Sequence, residues 1–147
     1  MGEKPRNQIW LLISLELAIC VSAGGRALQS AEYGPEVKSF LELMRHEEDE
    51  LDFQINHNEI SRREYVRSKA KVAIHRQTVL DLVKESGKDS IPEIHVVAAS
   101  ELDQLIEGGT AAIKGLKRGD TVREKWRYLG SLHRGETFYI LERRTPS

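Results

Sequence analysis

Five histidines, a run of acids, two glycine pairs and a basic, aromatic segment are the residues of this chain that could do chemistry. The histidines are His46, His57, His75, His95 and His133. No two of them stand four apart on one helical face beside a glutamate, so the zinc-protease spacing is missing. His46 and Glu50 share a face, but one pair does not hold a metal. Glu47, Glu48, Asp49 and Glu50 are consecutive; a calcium loop needs alternating ligands and a glycine turn. Gly108, Gly109 and Gly115 match neither a P-loop nor a dinucleotide fingerprint. No G-x-S-x-G is present, so serine hydrolysis has no local support. Cys20 is the single cysteine, which excludes an internal disulfide and a cysteine-based zinc site. These residues predict no catalytic group, no cofactor and no metal, and hence a protein that is not an enzyme.

One basic segment survives this search. Lys114, Lys117, Arg118, Arg123, Lys125, Arg127 and Arg134 lie near Trp126, Tyr128 and Tyr139. Cations interleaved with aromatics can contact phosphates and stack bases, so Lys125, Trp126, Arg127 and Tyr128 define an alternative nucleic-acid-binding reading. The net charge of −1 argues against it. The competing reading has Trp126 and Tyr128 packing the inner face of a sheet while the charges stay in water.

The elements that must position these groups follow from periodicity. At 147 residues the chain is one domain with appendages. Charged residues make up 31% and aromatics 6%, a mix that suits solvated helices more than an aromatic pocket. Lys4 and Arg6 precede the apolar run Ile9–Val21, and the small residues Ser22, Ala23, Gly24 and Gly25 follow. This is the layout of a secretory signal, with Val21-Ser22-Ala23 as the small-x-small exit. An uncleaved membrane anchor through residues 9–23 and a buried soluble helix are the other two readings. Glu16 inside the run weighs against insertion. Ile19 before Cys20 breaks the lipobox pattern, and Arg6 breaks the myristoylation pattern. The expected address is exported, periplasmic or extracellular, or membrane-anchored, with residues 1–23 as signal or anchor and 24–34 as a linker.

From Pro35, a residue tolerated in a first helical turn, Val37, Leu41, Met44, Glu48, Leu51 and Ile55 recur at steps of four and three. This predicts a helix to about His57. Ser61-Arg62-Arg63-Glu64 is a capping box, with Ile60 and Tyr65 placed as a hydrophobic staple. A second helix therefore starts at Ser61 and runs to Gly87, along Tyr65, Lys69, Val72, Arg76, Val79 and Val83. The short connection predicts an antiparallel hairpin over residues 35–87. Acids load the first helix and Arg62, Arg63, Arg67, Lys69, Lys71 and Arg76 the second, so ion pairs can form across the seam.

Beyond Gly87 the pattern turns β-rich, defining a small α+β domain over 88–147. Residues 93–99 read as a strand, Ser100 as the cap of a short helix over 101–106, and Gly108-Gly109 as its break. Residues 121–131 and 136–143 read as an antiparallel hairpin, which with the strand near Val96 makes three strands. The fold class expected is thus α+β: an apolar N-terminal helix, a long antiparallel α-hairpin and a small C-terminal antiparallel β unit.

Asn58-Glu59-Ile60-Ser61-Arg62-Arg63-Glu64-Tyr65, followed by Lys69, resembles the turn of the short helical hairpin called the SHOCT domain. The likeness spans roughly residues 43–74. Asn58 stands where that family usually has glycine, and asparagine also tolerates a left-handed backbone. The resemblance implies a small association module and no catalytic residues. The function expected is a non-enzymatic interaction protein, binding itself or a protein partner through Leu41, Met44, Leu51, Tyr65 and Val72.

Overall fold

The computed structural model describes residues 33–145. The expected apolar N-terminal helix, its signal or anchor role and most of the linker lie outside these residues. Helix α1 runs Pro35–Asn56 and α2 runs Arg62–Ser86. Then come β1 (Ile94–Ala98), a 3-10 turn (Ala99–Glu101), α3 (Leu102–Leu105), α4 (Gly109–Ile113), β2 (Thr121–Val122), β3 (Trp126–Arg134) and β4 (Glu136–Arg143). The chain is α+β, with a helical hairpin and a four-stranded antiparallel sheet in the order β1-β4-β3-β2.

The hairpin forms where periodicity and capping place it. Val37 and Met44 of the 4-3 stripe are buried and Leu41, Glu48, Leu51 and Ile55 half-buried, because that stripe faces α2. Glu48, the one charge in the stripe, meets Arg76 Nη1 at 3.0 Å. Asp52 accepts from Tyr65 Oη at 2.7 Å and Lys69 Nζ at 3.0 Å. The capping box is formed: Glu64 N donates to Ser61 Oγ at 3.2 Å, and Ser61 N donates to Glu64 Oε2 at 2.8 Å. Asn58 takes φ 57°, and Gly87 closes α2 at φ 65°.

The start of α1 is held from afar. Gly34 occupies its N-cap and has no side chain to accept the first free amides. Asp89 supplies the acceptor instead, taking Glu36 N and Val37 N at 3.0 Å each.

Two expectations for the tail are corrected. The strand expected over 121–131 is broken. Arg123 and Glu124 both adopt left-handed backbone, φ 49° and 59°, and fold Thr121–Val122 back onto β3. The sheet therefore has four strands, not three. Ser100 does not cap a helix; it lies inside the 3-10 turn, and Glu101 closes that turn by accepting from Ala98 N at 3.3 Å. The break at Gly108-Gly109 is present, and it opens the unexpected turn α4, which is too short to show a period.

The sheet is buried on both faces. One face carries Trp126, Tyr128 and Leu141 and is covered by Leu102, Ile106 and Ile113 of the α3–α4 segment, with Val122 at its edge. The other carries Ile94, Ala98, Phe138 and Ile140, on the side where α2 packs along β1. Arg67 clamps hairpin to sheet, its Nε and Nη2 reaching the Glu136 carboxylate at 2.6 and 2.9 Å. Lys71 Nζ reaches Glu101 at 2.5 Å.

Candidate functional site

A helix paired on one side still presents the other side to solvent, and α1 does so with an ordered set of residues. Leu43, His46, Glu50, Phe53 and His57 recur at steps of three and four, and all five are exposed. Leu43 is 55% and Phe53 50% accessible. At 1.5 Å per residue the two are about 15 Å apart along the axis. The Phe53 ring stacks on His57, centroids 3.9 Å apart and planes at 28°. His57 Nδ1 lies 2.8 Å from the Phe53 carbonyl oxygen, which fixes the pair as a flat shelf at the hairpin tip. At the other end, Leu43 borders an open groove of about 500 Å³ that Pro35, Ser39, Phe40 and Ile91 also line. Stripe and groove adjoin at Leu43; along the stripe Leu43 and Phe53 are apolar, with His46 and Glu50 between them.

The residues expected to bind a partner sit elsewhere. Met44 is buried, and Leu41, Leu51, Tyr65 and Val72 are half-buried along the hairpin and its seam. The hairpin and the sheet consume that face, so the exposed stripe lies one to two positions away from it. Of this stripe the sequence showed only that His46 and Glu50 share a face; Leu43, Phe53 and His57 complete it.

The basic, aromatic segment is also split by the fold. Trp126 is 2% and Tyr128 9% exposed, their rings inside the core. The His95 ring meets Trp126 edge-on at 4.8 Å, and Lys125 Nζ lies 5.1 Å from its centroid. The stacking surface that base binding needs is therefore occupied. Arg127 forms a two-nitrogen pair with Glu142, donating from Nε at 2.6 Å. Lys125 remains exposed.

The electrostatics are those of paired surface groups. The hydrogen bond from Tyr65, with a second from Lys69, holds the Asp52 carboxyl below its ordinary range. The backbone N–H of Ser61 does the same for Glu64. Burial works to raise Glu101, but the Lys71 ammonium and the Ala98 N–H outweigh it and the carboxyl is lowered. His75, set edge-on to Phe40 at 5.3 Å, is lowered by burial, with nearby His95 adding to the effect. Among the described residues no group of three histidine, cysteine or acidic side chains is placed to hold a metal. No helix among them is long and apolar enough to cross a membrane. No family model, no curated protein and no solved structure matches this chain.

Proposed function

We propose that this chain is a non-enzymatic association protein, exported or membrane-attached, whose hairpin binds a second copy of itself or a partner protein. The exposed row Leu43, His46, Glu50, Phe53, His57 carries the reading. Leu43 and Phe53 stand on one side of α1 as two large exposed apolar groups, the kind of anchors on which a partner helix docks. The capped turn and left-handed Asn58, which resemble the SHOCT hairpin, support the same use. The contact face is then the outer side of α1, and Leu41, Met44, Leu51, Tyr65 and Val72 act by holding the hairpin together.

The test begins with protein recovered from its host, where mass and fraction report whether residues 1–23 are retained. Sedimentation at tens of micromolar and pull-down then compare it with a Leu43→Asp, Phe53→Asp variant. The expected result is an assembly, or a captured partner, that the double substitution abolishes while circular dichroism stays unchanged. A monomer that captures nothing, or an assembly indifferent to both substitutions, would refute the reading.

A further inference from the structure

A β-strand needs a neighbour on each side to satisfy its backbone, and β3 has one for only part of its length. It spans nine residues, whereas β2 spans two and pairs only with Trp126 and Arg127. Two more bonds extend the cover: Gly119 N donates to the Tyr128 oxygen at 2.7 Å and Tyr128 N to the Asp120 oxygen at 2.8 Å. Beyond Tyr128, on the side away from β4, no backbone of the described residues pairs with β3. Ser131 through Gly135 are all exposed, and Leu132 is 45% accessible. Natural sheets block such an edge with proline, charged side chains, a bulge that twists it away or a covering helix or loop; the charges here are His133 and Arg134. Here the irregularity between Tyr128 and Gly130 ends before the open stretch begins, and no proline follows it.

We propose that the outer edge of β3, Ser131–Arg134, is a docking site for an extended acidic segment of a partner protein, added as a fifth strand. Charge selects the occupant. No acidic residue lies between Trp126 and Gly135, and Arg134 makes no ion pair among the described residues. The nearest acid in sequence, Glu136, is taken by Arg67. Leu132 and Arg134 are two apart and so share one face of the sheet. They ask for an aliphatic residue and a carboxylate, also two apart, on the incoming strand. The same edge of a second copy does not answer: it brings Leu132 but no carboxylate, only the basic His133 and Arg134. Backbone bonds supply the attraction and the Leu132/Arg134 pair the selectivity, as in other strand-addition complexes. This surface is separate from the α1 stripe, and neither proposal depends on the other.

The probe is the peptide acetyl-TETITV-amide, titrated to about 1 mM into the full-length, isotope-labelled chain and followed by amide NMR. Controls are the peptide with lysine in place of glutamate and one N-methylated on alternate backbone amides. Saturable shifts at Ser131–Arg134 are expected, with the lysine peptide about fivefold weaker, as an exposed charge pair allows. The N-methylated peptide should not bind. Arg134→Glu, on a fully exposed side chain whose spectrum reports an intact fold, should reverse the order of the two charged peptides. Absent shifts, shifts confined to other elements, binding that survives N-methylation, or an unchanged order in Arg134→Glu would each overturn the proposal.

Discussion

The contact between Gly34 and Asp89 makes a prediction that additivity forbids. Asp89 stands in for the N-cap side chain of α1, with two amide bonds of 3.0 Å from a residue 52 positions beyond Val37. Losing an N-cap acceptor costs about 1 kcal/mol, up to about 2. Asp89→Ala should therefore destabilise by about 1–2 kcal/mol. Gly34 is needed for the same bonds by its smallness: a Cβ there would sit 2.2 Å from Asp89 Cγ, inside any real contact distance. Its φ of −69° and ψ of 175° suit alanine, so backbone strain plays no part. Gly34→Ala must then push the carboxylate away and lose the cap, costing about the same 1–2 kcal/mol. With Asp89 already replaced, the Cβ meets nothing of that carboxylate, and Gly34→Ala should cost only the ordinary preference of an N-cap for glycine over alanine, which is common to both backgrounds and cancels in the coupling. The coupling is thus about 1–2 kcal/mol, well above the scatter of independent sites. Urea unfolding of the four proteins by far-ultraviolet circular dichroism measures it, with each kcal/mol worth about 4 °C in a parallel melt. If the two costs add to within about 0.5 kcal/mol, the distal cap is not what Gly34 preserves.

The pH dependence should show two acid limbs. His75 is kept neutral by burial, whereas the unfolded chain takes up its proton below the ordinary value of 6.5. The unfolded state then binds more protons, so stability should fall as pH drops below about 6.5, and His75→Gln should remove that limb from a series of urea midpoints. Asp52, Glu64, Glu93 and Glu101 are lowered from ordinary values of 3.8 to 4.5, so their contribution is complete above that range and fades as pH falls through it. A single limb unaffected by His75→Gln would contradict the burial of that ring. At the β2–β3 turn, Glu124→Gly should stabilise by about 1 kcal/mol, because glycine adopts φ 59° without the Cβ penalty. A loss of stability would show that the Glu124 side chain makes a contact worth more than that strain.

Local chemistry made much of this architecture legible. Steps of three and four along α1, and Ser61 with Glu64 three residues later, are interactions within one or two helical turns. Such signals need no knowledge of the rest of the molecule, and both helices stand within one or two residues of their expected bounds. The glycine break at Gly108 and the pairing of residues 136–143 with the preceding strand were equally local. The division of Thr121–Ser131 was not: Arg123 and Glu124 are poor left-handed residues, and the burial of Val122 and Trp126, the β2–β3 pairing and the bond from Arg123 Nη2 to the Glu107 oxygen, 3.0 Å, hold them there.

What the amino-acid order determined by itself is the hairpin, the caps of its second helix, and which side of each helix is apolar. What tertiary structure alone decided is which apolar groups stay in water. Leu41 and Leu43 are near neighbours of the same type, yet the first turns toward the packed side and the second borders an open groove. Asp89 became a cap, Trp126 a core residue and the edge of β3 an open one through neighbours far away in sequence. A side chain's pattern reports where its helix or strand points it; whether another element is waiting there is a property of the whole fold.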